Sequence, residues 1–134
     1  MSGFVDDVGI GNDARLLRRI HPKWVSADKP DSEGLPGLTS QAFEDLPGSP
    51  GMSVGLADEI ERRCLDLSVM LDGHPGYGLV VILAGIVRQV EWIIVHDGEG
   101  DPWHALVIGE KRRAKRKVLV DAAQWLVRPT PPLA

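Results

Sequence analysis

The chain has 134 residues, 43% of them hydrophobic and 25% charged, with a formal net charge of -4 and a pI near 5.5. That length suits one domain with a real core, while the acidic balance argues against a generic nucleic-acid coat protein. The longest apolar run, Leu79 to Val87, is about half of the ~20 residues that a membrane helix needs, and the lone Cys64 excludes an intramolecular disulfide and suits a reducing cytoplasm.

A single domain over residues 1–134 is expected. Residues 1–12 hold Gly3, Asp6, Asp7, Gly9 and Gly11 with little apolar periodicity, so they read as a loosely ordered arm, and they lack the basic and apolar blocks of a signal peptide. Leu16 to Val25 carries Arg18, Arg19, His21, Pro22 and Trp24. Its charges and proline predict an edge strand, or a helix that ends before Pro22. Residues 26–51 are punctuated by Pro30, Gly34, Pro36, Gly37, Pro47, Gly48, Pro50 and Gly51 and read as loop, with one patterned piece from Leu38 to Leu46. Loops of that length are often functional.

Ala57, Ile60, Cys64, Leu67 and Leu71 recur at steps of three and four, which predicts one helix with all five on its inner face. Asp58, Glu59 and Glu61 favour its N-terminal end and Gly73 its stop. Cys64 is then a buried apolar residue. After a Gly-Pro turn, Leu79 to Val87 predicts a buried strand. Val90 to His96 predicts a second strand, joined to the first around Arg88 and Gln89. Ala105 to Ile108 predicts a third, antiparallel to the second across the turn from Asp97 to Trp103. A last helix is expected from Glu110 to about Leu126, packing through Ala114, Val118, Ala122 and Trp125, with a Pro-rich tail over 128–134. The fold class is therefore α+β: two layers, a small antiparallel sheet of about three strands, two helices and a long N-terminal irregular region.

The main functional signal is charge. Lys111, Arg112, Arg113, Lys115, Arg116 and Lys117 are basic, and removing their +6 from the net -4 leaves -10 for the rest of the chain. Cations at a helix start oppose the helix dipole, so stability alone does not select them there. Together with backbone N–H groups after Gly109 they suggest a site for an anionic partner, either an acidic protein surface or nucleic acid. No zinc-finger spacing, RNA-recognition signature or Gly-rich loop accompanies the run. The competing reading is a solvated helix face.

Histidines supply a second signal, since His21, His74, His96 and His104 all sit in or beside turns. His74, His96 and His104 are candidate acids or bases. His96 and His104 flank a hairpin tip with Asp97, Glu99 and Asp101, but the spacing fits neither a calcium loop, which needs Gly where Pro102 stands, nor a zinc site. No metal and no cofactor is expected. Ser40 could join His21 and Arg19 in a transferase-like cleft if the long loop folds back, whereas its simpler role is to tie its own turn.

Arg-Arg-Ile-His-Pro at 18–22, Ser-Gln-Ala-Phe at 40–43, Met-Ser-Val at 52–54, His-Pro-Gly-Tyr-Gly at 74–78 and His-Ala-Leu-Val-Ile-Gly at 104–109 resemble small uncharacterised bacterial proteins. The resemblance spans most of the chain and implies no activity and no functional residue. The function expected is therefore an interaction or accessory protein that binds an anionic partner through the basic run; the alternatives are a His-dependent hydrolase or transferase acting on a phosphate-bearing substrate, and an inhibitor or immunity-type protein using its acidic surface. The first two are separated by whether the histidines meet in one concave pocket.

Overall fold

A computed structural model describes residues 4–98 and 100–130. Among them the chain forms a six-stranded sheet, a separate two-stranded ribbon and three α-helices. Gly3 of the expected arm, Glu99 of the hairpin tip and Pro131 and Pro132 of the tail lie outside the described residues.

The large sheet is antiparallel throughout, in the order β6-β7-β4-β1-β5-β8. Its strands are β1 (Arg15–Ile20), β4 (Met52–Leu56), β5 (Gly78–Leu83), β6 (Ile93–Val95), β7 (His104–Ile108) and β8 (Gln124–Val127), and β2 (Val25–Pro30) pairs with β3 (Pro36–Leu38) in the ribbon. Helix α1 (Ala57–Arg62) follows β4, α2 (Ala84–Gln89) follows β5, and α3 (Arg113–Ala122) precedes β8.

Side chains of a strand alternate between faces, and both faces of this sheet are covered. Leu16, Ile20, Met52, Val54, Val80, Ile82, Ile94 and Val107 build the larger core with Phe43, Trp92 and Leu119. Leu17 and Leu79, on the opposite face, pack with Ala57, Ile60 and Met70. Arg15, Leu17 and Arg19 share that second face, as do Ser53, Gly55 and His104.

Several expectations are corrected. The sheet has six strands rather than about three, and the helices number three rather than two. The expected irregular region holds β1, β2, β3 and a 3-10 turn over Ser40–Phe43. β1 is central, not an edge: it pairs with β4 on one side and β5 on the other. Its arginines mask this. Arg18 is only 5% exposed because its guanidinium donates to three backbone carbonyls, of Ala42 at 3.0 Å, Ser53 at 2.9 Å and Glu44 at 3.3 Å, and lies 5.3 Å from the Trp24 ring. Burial, with Arg19 as a lesser cause, pushes it down to about 10.

The helix expected to run on to Leu71 ends at Arg62. Cys64 takes φ 59, the left-handed conformation usual for glycine after a helix, and Leu65 N–H donates back to Ile60 O at 3.2 Å. That reversal puts Cys64 at the surface, not in the core. A new 3-10 turn, Leu67–Leu71, starts from Asp66, whose carboxylate accepts from Ser68 N–H at 2.8 Å. Of the run Leu79 to Val87, residues 84–87 are helical, so β6 does not adjoin β5 but pairs with β7 at the far edge. The antiparallel β6–β7 pairing itself is present. In α3 the buried residue is Leu119, while Ala114 and Val118 are exposed and Trp125 belongs to β8. The aromatic and branched residues of Gln-Trp-Leu-Val favour extended pairing over a longer helix.

Candidate active site

The basic run begins before α3 and continues into it. Lys111, whose side chain is 6% exposed, pairs with Asp45 at 2.9 Å and donates to the carbonyls of Val107 and Gly109 at 3.0 and 2.9 Å. It also lies 4.9 Å from the Trp92 ring centroid, and burial holds its pKa below the usual lysine range in spite of Asp45. Arg116 is held by Glu44 at 3.2 Å and by the Ser40 carbonyl and hydroxyl at 3.3 Å each. Exposed pairs join Arg112 to Glu110 at 3.1 Å and Lys117 to Asp121 at 2.7 Å. Four of the six cations thus meet the chain's own carboxylates. Arg113 and Lys115 make no ion pair among the described residues. Arg113 and Lys117 line an open groove of about 1000 Å³ between α3, β8 and the ribbon.

The histidines divide differently. His96 bonds the Pro102 carbonyl through Nε2 at 2.7 Å. His21 accepts from Lys23 N–H at Nδ1 and packs its ring 5.1 Å from Tyr77. His74 packs on the same tyrosine at 5.1 Å. His104 has partners at both ring nitrogens: Nδ1 lies 2.6 Å from Asp97 Oδ1, and Nε2 lies 3.2 Å from Ser53 Oγ. A carboxylate only accepts, so Nδ1 carries the proton of the neutral ring, leaving the Nε2 lone pair for the Ser53 hydroxyl. Serine, imidazole and carboxylate therefore stand in one chain.

Strand register creates this contact. β4 and β7 pair Ser53 with Leu106 and Gly55 with His104, so Ser53 and His104 are diagonal neighbours on one face. On the other side of β4, β1 pairs Leu17 with Gly55, and two residues further along each strand are Arg19 and Ser53. Three adjacent strands thus set Arg19, Ser53 and His104 on one face. Asp97 arrives from the β6–β7 connection.

A cleft of about 280 Å³ opens over this row, lined by Arg19, Ser53, Met70, His74, Trp103 and His104, with Asp72 and Asp101 also on its wall. His74 and His104 meet there, whereas His96 does not. Burial, then the Arg19 charge, hold His74 below the usual histidine range, which favours its neutral ring. Arg19 donates to the Met70 carbonyl at 3.1 Å, and burial lowers its pKa too. Ser40 does not join Arg19 and His21: it faces α3, bonded to Arg116. Among the described residues no group of three His, Cys, Asp or Glu side chains is placed to hold a metal ion.

Two members of this chain escape sequence reasoning. Ser53 lies in a plain strand with no elbow motif, and Asp97 looks like one of several carboxylates at an acidic loop tip. A usable signal existed: Ser53 and His104 are polar residues at the start of short, otherwise apolar strands. Pairing those strands is what sequence alone did not supply. No protein-family model, no curated protein and no solved structure matches the chain, and nothing in these comparisons points to a known activity.

Proposed function

We propose that the protein is a small hydrolase that uses Ser53 as nucleophile, His104 as general base and Asp97 to orient the imidazole. The observation that carries this reading is the unbroken run of two hydrogen bonds from Asp97 through His104 to Ser53, at the wall of a cleft. In the reaction, Ser53 Oγ attacks an acyl carbon while Nε2 of His104 takes its proton. The same proton then passes to the departing alcohol or amine. Water, deprotonated by His104 in its turn, releases the acid and restores the hydroxyl. Phosphoryl esters fit the same arrangement.

The interaction role suggested by the basic run has less support, because most of those cations are engaged within the chain. Among the described residues no helix is long and apolar enough to cross a membrane. A cytoplasmic setting belongs to the proposal, since exposed Cys64 would stay a thiol there.

Incubation with a fluorophosphonate, followed by peptide mass spectrometry, tests the assignment. The probe should attach to Ser53, and Ser53→Ala and His104→Ala should each lower ester turnover about 10^4-fold or more while leaving the fold intact. Absence of labelling at Ser53 under conditions that label a known serine hydrolase would count against it.

A further inference from the structure

The cleft contains a cation whose charge has no partner in contact. Arg15, Arg88, Arg116 and Arg128, the other partly buried arginines outside the core, each meet a carboxylate. Arg18 is occupied by three carbonyls. Arg19 makes no ion pair among the described residues, and its hydrogen bond goes to the Met70 carbonyl. Asp101 acts on it only from a distance. A guanidinium carries five N–H donors in a fixed fork that matches the two oxygens of a carboxylate or phosphate. Taking such a charge partly out of water is costly unless an anion completes it.

Its position gives that spare capacity a use. Arg19 is on β1 and Ser53 on the adjoining β4, strands whose backbones run about 5 Å apart, and both side chains line the cleft from the same face, so an anion held by the guanidinium shares that cleft with the nucleophile. Trp103 supplies a flat apolar wall for the body of a ligand. Asp72 and Asp101 are exposed where they reach the cleft and would repel a second negative group while accepting from a hydroxyl or ammonium.

We infer that the cleft selects small substrates that carry one oxyanion, a carboxylate or a phosphate, which Arg19 holds beside Ser53. The inference rests on the serine reading for the word substrate, but the anion site itself can be tested without turnover.

Calorimetric titration with phenylphosphonate, which has no ester bond to cleave, benzoate and benzyl alcohol should be run on the wild type, Ser53→Ala, Arg19→Gln and Arg19→Lys. At least one of the two anions should bind the wild type and Ser53→Ala alike and protect Ser53 from the fluorophosphonate, with the better anion naming the preferred group. Benzyl alcohol should bind at least 10-fold more weakly. Arg19→Gln should weaken anion binding 10-fold or more, and Arg19→Lys, which keeps the charge and not the fork, should fall between. Equal anion affinity in Arg19→Gln, equal binding of the neutral alcohol, or no binding of either anion to the wild type would overturn the inference. If Arg19→Gln does not fold, protection of wild-type Ser53 decides: protection by an anion and not by the alcohol supports it, and none sinks it. Arg19-dependent binding with an unlabelled Ser53 would instead defeat the serine reading and leave the anion site standing.

Discussion

Met70 lies directly over Gly55. A Cβ built on Gly55 would overlap the Met70 Sδ and stand 2.9 Å from its Cε. The bare backbone of β4 therefore lets the Leu67–Leu71 turn descend onto the sheet, which carries the Met70 carbonyl to Arg19. Gly55→Ala should push Met70 outward and cost about 1–2 kcal/mol by overpacking, since a methionine can swing only part of the way inside a buried cluster. Urea denaturation measures the cost. An unchanged midpoint would mean that the Met70 side chain, not the backbone of β4, sets this approach.

Asp97 is the member of the chain whose loss separates chemistry from folding. It lies in an exposed connection, and asparagine keeps its size and a hydrogen bond to the imidazole, so Asp97→Asn should change stability by about 1 kcal/mol at most. Its effect on turnover should be far larger. An amide can present its NH2 to Nδ1 and force the proton onto Nε2, so that the ring can no longer accept from Ser53. Ester hydrolysis should then fall by about 10^2- to 10^4-fold. Near-normal turnover with intact folding would show that His104 holds its tautomer without Asp97.

How much was legible in the letters turns on β1 and α1. Two adjacent arginines made β1 look like an edge, because charge ordinarily seeks water. In the fold one is saturated by carbonyls in the core and the other opens into the cleft, and neither environment is encoded locally. The apolar period from Ala57 to Leu71 was real, yet it spans two short helical pieces around a left-handed Cys64. Asp66, a good cap in mid-pattern, was the local warning. His104 and the β6–β7 pairing were within reach of sequence reasoning. The meeting of Ser53 with His104 was not, because it depends on β4 crossing to pair with β7, a contact between segments about 50 residues apart in the chain.

His74 makes stability depend on acidity. Its folded pKa is depressed, first by burial and then by Arg19, below the 6.5 of the free side chain. Between those two values the unfolded chain binds a proton that the folded chain does not, so unfolding is favoured as pH falls through that window. Stability from this residue is therefore complete above about 6.5 and declines below it. The difference in urea midpoint between wild type and His74→Gln, followed from pH 7.5 to 5, should change in the direction of relative loss for the wild type. A constant difference would show that His74 titrates normally.

Lys111 is the residue at which a structural role and a docking role make opposite forecasts. A solvated docking lysine can be removed with little effect on folding. Here the ammonium is enclosed by Asp45, two carbonyls and the Trp92 ring. Lys111→Met keeps the stem and its packing but leaves the Asp45 carboxylate, one-third exposed, without its cation. The cost should be about 2 kcal/mol, below that of a fully buried broken pair because water still reaches Asp45. Adding Asp45→Asn removes the stranded charge and should recover part of the loss, giving a favourable coupling in the double-mutant cycle. Additive costs, or no cost for Lys111→Met, would free Lys111 for a partner outside the chain. The predicted coupling instead makes it a strut between β7, α3 and the Asp45 loop, and takes the first cation of the basic run out of play for binding.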